Sequence, residues 1–414
     1  MEALATNKQA VLAGAAGTGK STVMREVLDM WKGNVLFMAP TGKAALRLAE
    51  TTGRDARTIH SSIFGRVEEK EDDKESKESL SFGDLHPPEG CSSTTLVVVD
   101  EASMVDVDLA GKLRQAVESV RGNILWVGDH EQLSPVGGKW GVNLASPTAK
   151  LTTVHRQALE SDVLALATLL REGKVREFTK WGGDVTFSEI AYAKQAAAWK
   201  SQNPDRMLLT WTNKVRGNIN LAYRRDLGFK KDLIHDGETL ICTMNNHGKA
   251  IVNGELFTVD LVIDHEPLSK LMGRRVQKVF PKGRTDYFLM IPSVFDMRKK
   301  GKNGWWLSDK GLIDDASEDF VKGFWEPDSG LDLKEYKSLK QEWLENRVIG
   351  TWGYCLTVHK SQGSQWEDVA FVSCWAFRQE KEKTGRGPSA DDRKRMLYTA
   401  VTRASERVHI FKLS

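Results

Sequence analysis

The sequence predicts an α/β protein built on doubly wound parallel sheets, in more than one domain. Three observations carry that expectation. A short apolar strand, Ala10 to Ala13, runs into Gly14-x-x-x-x-Gly19-Lys20-Ser21 and then into a helix. A second apolar run, "LVVV" (96–99), ends in Asp100-Glu101. Around them strands and helices alternate, the rhythm of βαβ units. At 414 residues the chain exceeds what one core fills, so about two to four domains are expected.

The first element, "KQAVLAGAAGTGKST" (8–22), has the chemistry of a phosphate cradle. Gly14, Gly17 and Gly19 let the backbone curl around Thr18, so that its N–H groups point at phosphate oxygens. The helix beginning at Lys20 aims its positive end at the same anion. Lys20 would reach the β/γ-phosphates of ATP, and Ser21, followed by Thr22, would help hold Mg²⁺. This is the P-loop pattern in its required context, strand before and helix after. It calls for a second, acidic strand, and "TTLVVVDEASM" (94–104) supplies one. Asp100 would complete the Mg²⁺ shell, and Glu101 would orient or deprotonate an attacking water. Phosphoryl transfer to a small molecule remains open at this point.

"NVLFMAP" (34–40) reads as a strand and "TGKAALRLAE" (41–50) as a helix capped by Thr41. "VDLAGKLRQAVESV" (107–120) is helical and "NILWVGD" (123–129) is a strand. Asp129 and Gln132 follow that strand's C-terminal end, where α/β proteins bind ligands; Gln132 would read the γ-phosphate. A second set follows: helix "SDVLALATLLREGK", strand "DRMLLTWTN" (205–213) and helix "KVRGNINLAYRRDL". From about 240 to 330 the pattern changes to short strands, glycine turns and aromatics, which predicts a small inserted β-barrel. A helix over 331–347 leads back to the strands "DVAFVSCWAF" and "RVHIFKL".

Bulk composition narrows the class. Hydrophobic content of 40% and charged content of 28% are ordinary for a soluble globular protein. No apolar run approaches membrane-spanning length, and no signal peptide is read. Cys91, Cys242, Cys355 and Cys374 are scattered without a C-x-x-C pair, so zinc and disulfide frameworks are not expected and a reducing cytosol fits. Ten basic residues against Asp286 and Asp296 give Lys270–Lys302 a local +8. Nine acidic residues against three lysines give Trp305–Glu335 a local −6. These read first as two solvated faces that pair with each other, with a basic surface facing a polyanion as the alternative, and "EEKEDDKESKES" (68–79) reads as a disordered or solvated loop.

The ordered set "GAAGTGKST", "APTGKAA", "TIHSSIF", "VVVDEAS", "GDHEQLSPVG", "VHRQ", "TVHKSQGSQW" and "LYTAVTRASERV" resembles the superfamily 1 DNA helicases of the 5′→3′ branch, the RecD-like and Dda-like enzymes. The resemblance implies two RecA-like lobes with ATP and Mg²⁺ between them: 1–65 with 91–150, and 151–240 with 340–414. It also implies a pin-type hairpin at 66–90 and the barrel with its connecting helix at 241–339. Arg156 and Arg403 would be arginine fingers, and Gly363 would lie against the nucleotide. Pro40, Thr41, His60, Thr357 and His359 would touch single-stranded DNA, and Phe82 would tip the pin. The implied activity is ATP-dependent 5′→3′ translocation and duplex unwinding, in replication, repair or recombination. A RecD-like subunit of a larger complex and an RNA helicase are the alternatives; a small-molecule kinase needs no fifth or sixth motif. The implied partners are single-stranded DNA, its junctions with duplex, and single-strand-binding or replication proteins. The implied setting is a monomer, off the membrane, in a bacterial or phage-infected cytoplasm. Two positions depart from the family pattern. Only thirteen residues precede Gly14, and Gln9 abuts the strand, too close to serve as the family's adenine-reading glutamine. The fifth motif ends Ser364-Gln365 where Ser-Glu is usual, and an amide holds a ribose hydroxyl more weakly than a carboxylate does.

Overall fold

The structure, a computed structural model, describes residues 2–64, 84–135, 139–153, 161–175, 183–192, 194–230, 233–243, 249, 251–272, 275–290, 300–301, 304–305, 333–374 and 389–413. The chain divides into two compact units. Unit 1 comprises 1–177, 362–365 and 388–403; unit 2 comprises 178–361, 366–387 and 404–414.

In chain order the elements begin α1 (Glu2–Asn7), β1 (Gln9–Gly14), α2 (Lys20–Met30), β2 (Val35–Ala39), α3 (Gly42–Thr52), β3 (Ala56–Thr58), α4 (Ile59–Ile63), β4 (Leu96–Val99), α5 (Val107–Glu118), β5 (Asn123–Gly128), β6 (Ala149–Leu151) and α6 (Asp162–Arg171). They continue β7 (Val185–Ile190), α7 (Lys194–Ser201), β8 (Met207–Thr210), α8 (Asn213–Asp226), β9 (Thr239–Cys242), β10 (Leu256–Asp264), α9 (Glu266–Met272), β11 (Gln277–Pro281) and β12 (Phe288–Met290). Last come β13 (Lys300–Gly301), β14 (Gly304–Trp305), α10 (Leu333–Asn346), β15 (Gly350–Trp352), β16 (Cys355–Thr357), α11 (Val358–Ser361), β17 (Trp366–Cys374), α12 (Ala390–Val401) and β18 (Ala404–Leu413). Among the described residues no helix is long and apolar enough to cross a membrane.

Unit 1 is centred on a sheet of order β3-β2-β4-β5-β1-β6 in which every pairing is parallel. Its apolar runs are continuous because both faces are covered. Successive side chains alternate between faces. Ala13, Val97, Val99, Ile124 and Trp126 therefore pack with Leu109, Leu113 and Val117 of α5. Ala10, Leu12, Leu96, Val98, Leu125 and Val127 pack the other way, with Met24 of α2 and Leu48 of α3. Each large side chain so buried contributes roughly 1.5–3 kcal/mol. The helices start where their caps stand: Thr41 Oγ1 accepts from the Ala44 N–H at 3.3 Å, and Asp106 Oδ1 from the Leu109 N–H at 2.8 Å. Such caps are worth about 1 kcal/mol each. With β4, β5 and β1 adjacent and parallel, Asp100, Asp129 and Gly14 emerge at one edge of the sheet.

Unit 2 holds a parallel sheet, β16-β8-β17-β18-β7, and an antiparallel one, β12-β11-β10-β9-β15. Leu208, Ile219, Ala370, Val372 and Phe411 form the core of the first. Leu240, Val259, Val279, Phe288, Met290 and Trp352 form that of the second, which occupies the region expected to be a barrel. Arg224 and Glu238, 1% and 0% exposed at their side chains, form a buried ion pair here. Two hydrogen bonds join them, at 2.5 and 3.1 Å; Arg224 also donates to the Lys230 and Leu233 carbonyls and lies 4.1 Å from the Trp352 ring centre. In the basic segment, Lys278 pairs with Glu342 and Arg284 with Asp286, which Lys249 from outside the segment also reaches. Residues 306–332 of the acidic stretch lie outside the described residues.

Candidate functional site

The cradle is built as its residue types require. A Cβ on Gly14 would stand 2.5 Å from Thr18 Oγ1 and 3.1 Å from Leu151 Cβ, so a side chain there would press on both. Gly17 and Gly19 have φ of 74° and 84°, which side chains resist. Thr18 Oγ1 donates to the Ala15 carbonyl at 2.8 Å. Lys20 Nζ folds back over the loop and donates to the Gly14 and Ala15 carbonyls at 2.8 and 3.0 Å. Ser21 and Thr22 are exposed in the first turn of α2.

Two carboxylates face this loop from the neighbouring strand ends. Asp100 has its pKa raised to about 6, by desolvation first and by the charge of Glu101 second; Lys20 and Arg47 pull the other way. Glu101 sits in left-handed backbone, φ 51° and ψ 40°, with its own N–H held by Asp100 Oδ1 at 2.8 Å. A non-glycine residue there is strained and persists only where its surroundings impose it. Asp129 is 2% exposed. Burial raises its pKa against the opposing pull of Lys20, of the Tyr398 hydroxyl at 2.6 Å and of the Glu131 N–H at 3.0 Å. Buried carboxylates held above their ordinary range are under-compensated by the protein, and a divalent cation is the charge that would balance them. Mg²⁺ asks for only one or two protein ligands when phosphate oxygens complete its shell, so Asp100 with Ser21 fits it. Six buried polar side-chain atoms of unit 1 have no hydrogen-bond partner among the described residues: Ser103 Oγ, His130 Nδ1, Gln132 Oε1, Trp140 Nε1, Gln362 Nε2 and Ser364 Oγ. Native interiors leave few such atoms, and Gln132 stands among them just past the end of β5.

The sequence reading missed the helix that organises this edge. α12 grips the loop after β5 residue by residue. Tyr398 donates to Asp129, Lys394 pairs with Glu131 at 3.1 Å, and Thr399 Oγ1 accepts from the Leu133 N–H at 3.1 Å. Arg395 donates to the His130 carbonyl and, at 3.3 Å, to that of Gln132. Its guanidinium lies 4.6 Å from the Trp140 ring centre, and Trp140 meets His130 edge-on at 4.5 Å. Tyr398 also accepts the Ala16 N–H at 3.1 Å, reaching the cradle itself. The available signal was a polar stripe at helical spacing, Arg395, Tyr398, Thr399 and Thr402, leading to Arg403.

Arg403 is 4% exposed and donates to the Thr399 carbonyl, the Ser364 carbonyl and Thr402 Oγ1, at 3.2, 3.2 and 3.4 Å. Burial lowers its pKa, and Glu101 is the largest opposing charge. Gly363, φ 75°, packs so closely on α3 that a Cβ would stand 3.1 Å from the Ala44 backbone. Gln365 Oε1 accepts from Arg47 Nη2 at 2.9 Å. Residues 362–365 and 388–403, read from the sequence as second-lobe segments, thus cluster within unit 1. Gln9 opens β1, at the end away from the cradle. Its amide donates to Glu118 and accepts from Arg114 and Trp126.

Pro40 and Thr41 follow β2, with the Thr41 hydroxyl capping α3. His60 lies on α4 and stacks on Phe64 at 6.0 Å; burial lowers its pKa. Thr357 and His359 belong to unit 2, where Thr357 Oγ1 accepts from the Lys360 N–H at 3.4 Å and burial lowers the pKa of His359. Arg156 and Phe82 lie outside the described residues.

Residues 1–187 match a family described as an AAA domain, and residues 353–411 a UvrD-like helicase C-terminal domain. The chain is 36% identical over 191 residues to the ATP-dependent RecD2 DNA helicase of Deinococcus radiodurans, covering 44% of this chain and 24% of that protein. It is 24% identical to the RecBCD enzyme subunit RecD of Mycolicibacterium smegmatis, covering 97% and 67%. It is 25% identical to the ATP-dependent DNA helicase dda of Enterobacteria phage T4, covering 67% and 64%. The chain therefore spans between about a quarter and two thirds of the length of these relatives. Among solved structures, a pair of Pif1 helicases at forked duplex DNA shares the fold: TM-score 0.51, 16% identity, covering 99% of this chain and 89% of that one. Bacteroides Pif1 bound to single-stranded DNA does so at TM-score 0.50 and 16% identity, covering 98% and 89%. The two domain matches fall on the cradle and on the segment containing α12, and with the RecD2 and Dda relatives they support a superfamily 1 helicase of the RecD and Dda type.

Proposed function

We propose that this protein is an ATP-dependent 5′→3′ DNA helicase that translocates on single-stranded DNA and opens duplex. One observation carries the reading: the P-loop, Asp100-Glu101, Asp129 with Gln132, and α12 with Arg403 all converge on one edge of one parallel sheet. In this reading the loop N–H groups of 14–19 and the Lys20 ammonium bind the phosphates. Bound Mg²⁺, held by Ser21 and Asp100, supplies charge neutralisation on the phosphate oxygens. Glu101 takes a proton from the attacking water, and its strained backbone fixes the carboxylate in place for that task. Gln132 turns its unpaired Oε1 toward the γ-phosphate region. Arg403 and Arg156 stabilise charge on the transferred group.

Pro40, Thr41, His60, Thr357 and His359 grip the tracking strand, and Phe82 caps a strand-separating hairpin at 66–90. The antiparallel sheet of unit 2 is part of a small inserted barrel. ATP binding closes two RecA-like lobes on DNA and hydrolysis opens them. The protein works as a monomer in a bacterial or phage-infected cytoplasm, alongside single-strand-binding or replication proteins. A strand-displacement assay tests this, with 5′-tailed and 3′-tailed duplexes of DNA and of RNA. Unwinding of the 5′-tailed DNA is expected; preference for a 3′ tail or for RNA overturns the assignment. The 97% coverage by a RecBCD subunit favours a second reading, an ATPase subunit of a larger complex. That reading predicts DNA-stimulated ATP hydrolysis without displacement of either strand.

A further inference from the structure

We propose that Tyr398 is a positioning residue that couples occupancy of the phosphate cradle to the loop 129–133, through one hydroxyl shared between Ala16 and Asp129. This deepens the ATPase reading above and rests on it. A tyrosine hydroxyl has a single proton. Here that proton goes to Asp129 Oδ2 at 2.6 Å, so the oxygen is the acceptor for the Ala16 N–H at 3.1 Å. Tyr398 is 1% exposed, and burial together with the charge of Asp129 keeps the hydroxyl protonated. Ala16 lies inside the curl between Gly14 and Gly19, so its N–H is among the donors a phosphate would claim. One N–H serves one strong acceptor well. A phosphate in the cradle and the Tyr398 oxygen therefore compete for it.

The consequence runs through α12. The helix that carries Tyr398 also carries Arg395 and Thr399, which hold the backbone of His130, Gln132 and Leu133. A change in what Tyr398 accepts is thus felt by Asp129 directly and by Gln132 through a rigid helix. The hydroxyl contacts no reacting atom; its effect is on where Asp129 and Gln132 stand.

The test is Tyr398→Phe, which keeps the ring and removes the shared oxygen. ADP affinity is measured by calorimetry, ATP hydrolysis at steady state, and stability by thermal unfolding. The expected result is a split. The ADP Kd stays within about twofold or tightens, because the Ala16 N–H is released, while kcat falls roughly tenfold, as expected for a lost hydrogen bond to a carboxylate. Asp129→Asn combined with Tyr398→Phe should lower kcat no further than the worse single variant, because the two act as one unit. ADP binding weakened in step with kcat and Tm would make Tyr398 a packing residue and overturn the proposal. Unchanged kcat and Kd would overturn it too, as would additive losses in the double variant. If the wild-type protein hydrolyses no ATP, the ATPase reading itself fails. The ADP arm still decides the competition: a Tyr398→Phe protein that binds ADP more than about twofold weaker than wild type refutes it.

Discussion

The two units bury charge in opposite ways. In unit 2, Arg224 and Glu238 neutralise each other, and two main-chain carbonyls and an indole ring complete the arginine's surroundings. In unit 1, Asp100 and Asp129 are enclosed with Lys20 nearby, and Arg47 also acting on Asp100, while Lys20 spends donors on the cradle's carbonyls. Both arrangements cost desolvation. The first is closed by the protein itself and gives structure. The second is left for something else to complete, and that difference separates a scaffold from a site.

Breaking the closed pair should have the largest effect on stability. Glu238→Gln leaves Arg224 buried and uncompensated, which costs about 3–5 kcal/mol. Thermal unfolding should show unit 2 melting many degrees lower; a shift within the error of wild type would mean that the pair is not closed as described.

Unit 1 should respond in the opposite direction. The folded protein holds the Asp100 proton up to about pH 6, above the ordinary 3.8, so it binds protons more tightly than the unfolded chain does. Stability from that proton is complete below the unfolded value and is lost as pH rises through about 6. Asp100→Asn should therefore stabilise the nucleotide-free protein at pH 7.5 by about 2–3 kcal/mol and do nothing near pH 3. Unfolding measured at both pH values checks the sign. A variant less stable than wild type at pH 7.5 would show that the carboxylate is already satisfied. Added Mg²⁺ and ADP should stabilise wild type more than the variant.

The smallest effect belongs at the exposed contact between Arg47 and Gln365. Gln365→Glu turns a hydrogen bond into a surface ion pair, worth under about 1 kcal/mol and screened by salt. A larger change in stability would mean that Gln365 has a further role there.

Much of this was legible because it is local. A cradle needs glycines at fixed spacing, a helix needs a cap such as Thr41, and a buried parallel strand needs an unbroken apolar run such as 96–99. The contacts that organise the site were not. Tyr398 meets Asp129 across 269 positions, and Arg395 meets His130 across 265. Nothing local in "LYTAVTRA" distinguishes a tyrosine that packs from one that bridges. The backbone of Glu101 was hidden for a similar reason, since a glutamate does not advertise a left-handed turn as glycine or asparagine does. The place of Gln9 beside Arg114, Glu118 and Trp126 depends on strand order, which periodicity does not encode.

The most direct test of the open site is Glu101→Gln, which removes one proton acceptor and changes little else. ATP binding by equilibrium titration and ATP turnover, each with and without single-stranded DNA, are the measurements. Binding should stay within a few-fold of wild type while turnover falls by at least about 10²-fold under both conditions. Near-normal hydrolysis by Glu101→Gln would contradict the account, because the strained carboxylate beside Asp100 would then not be the group that activates water.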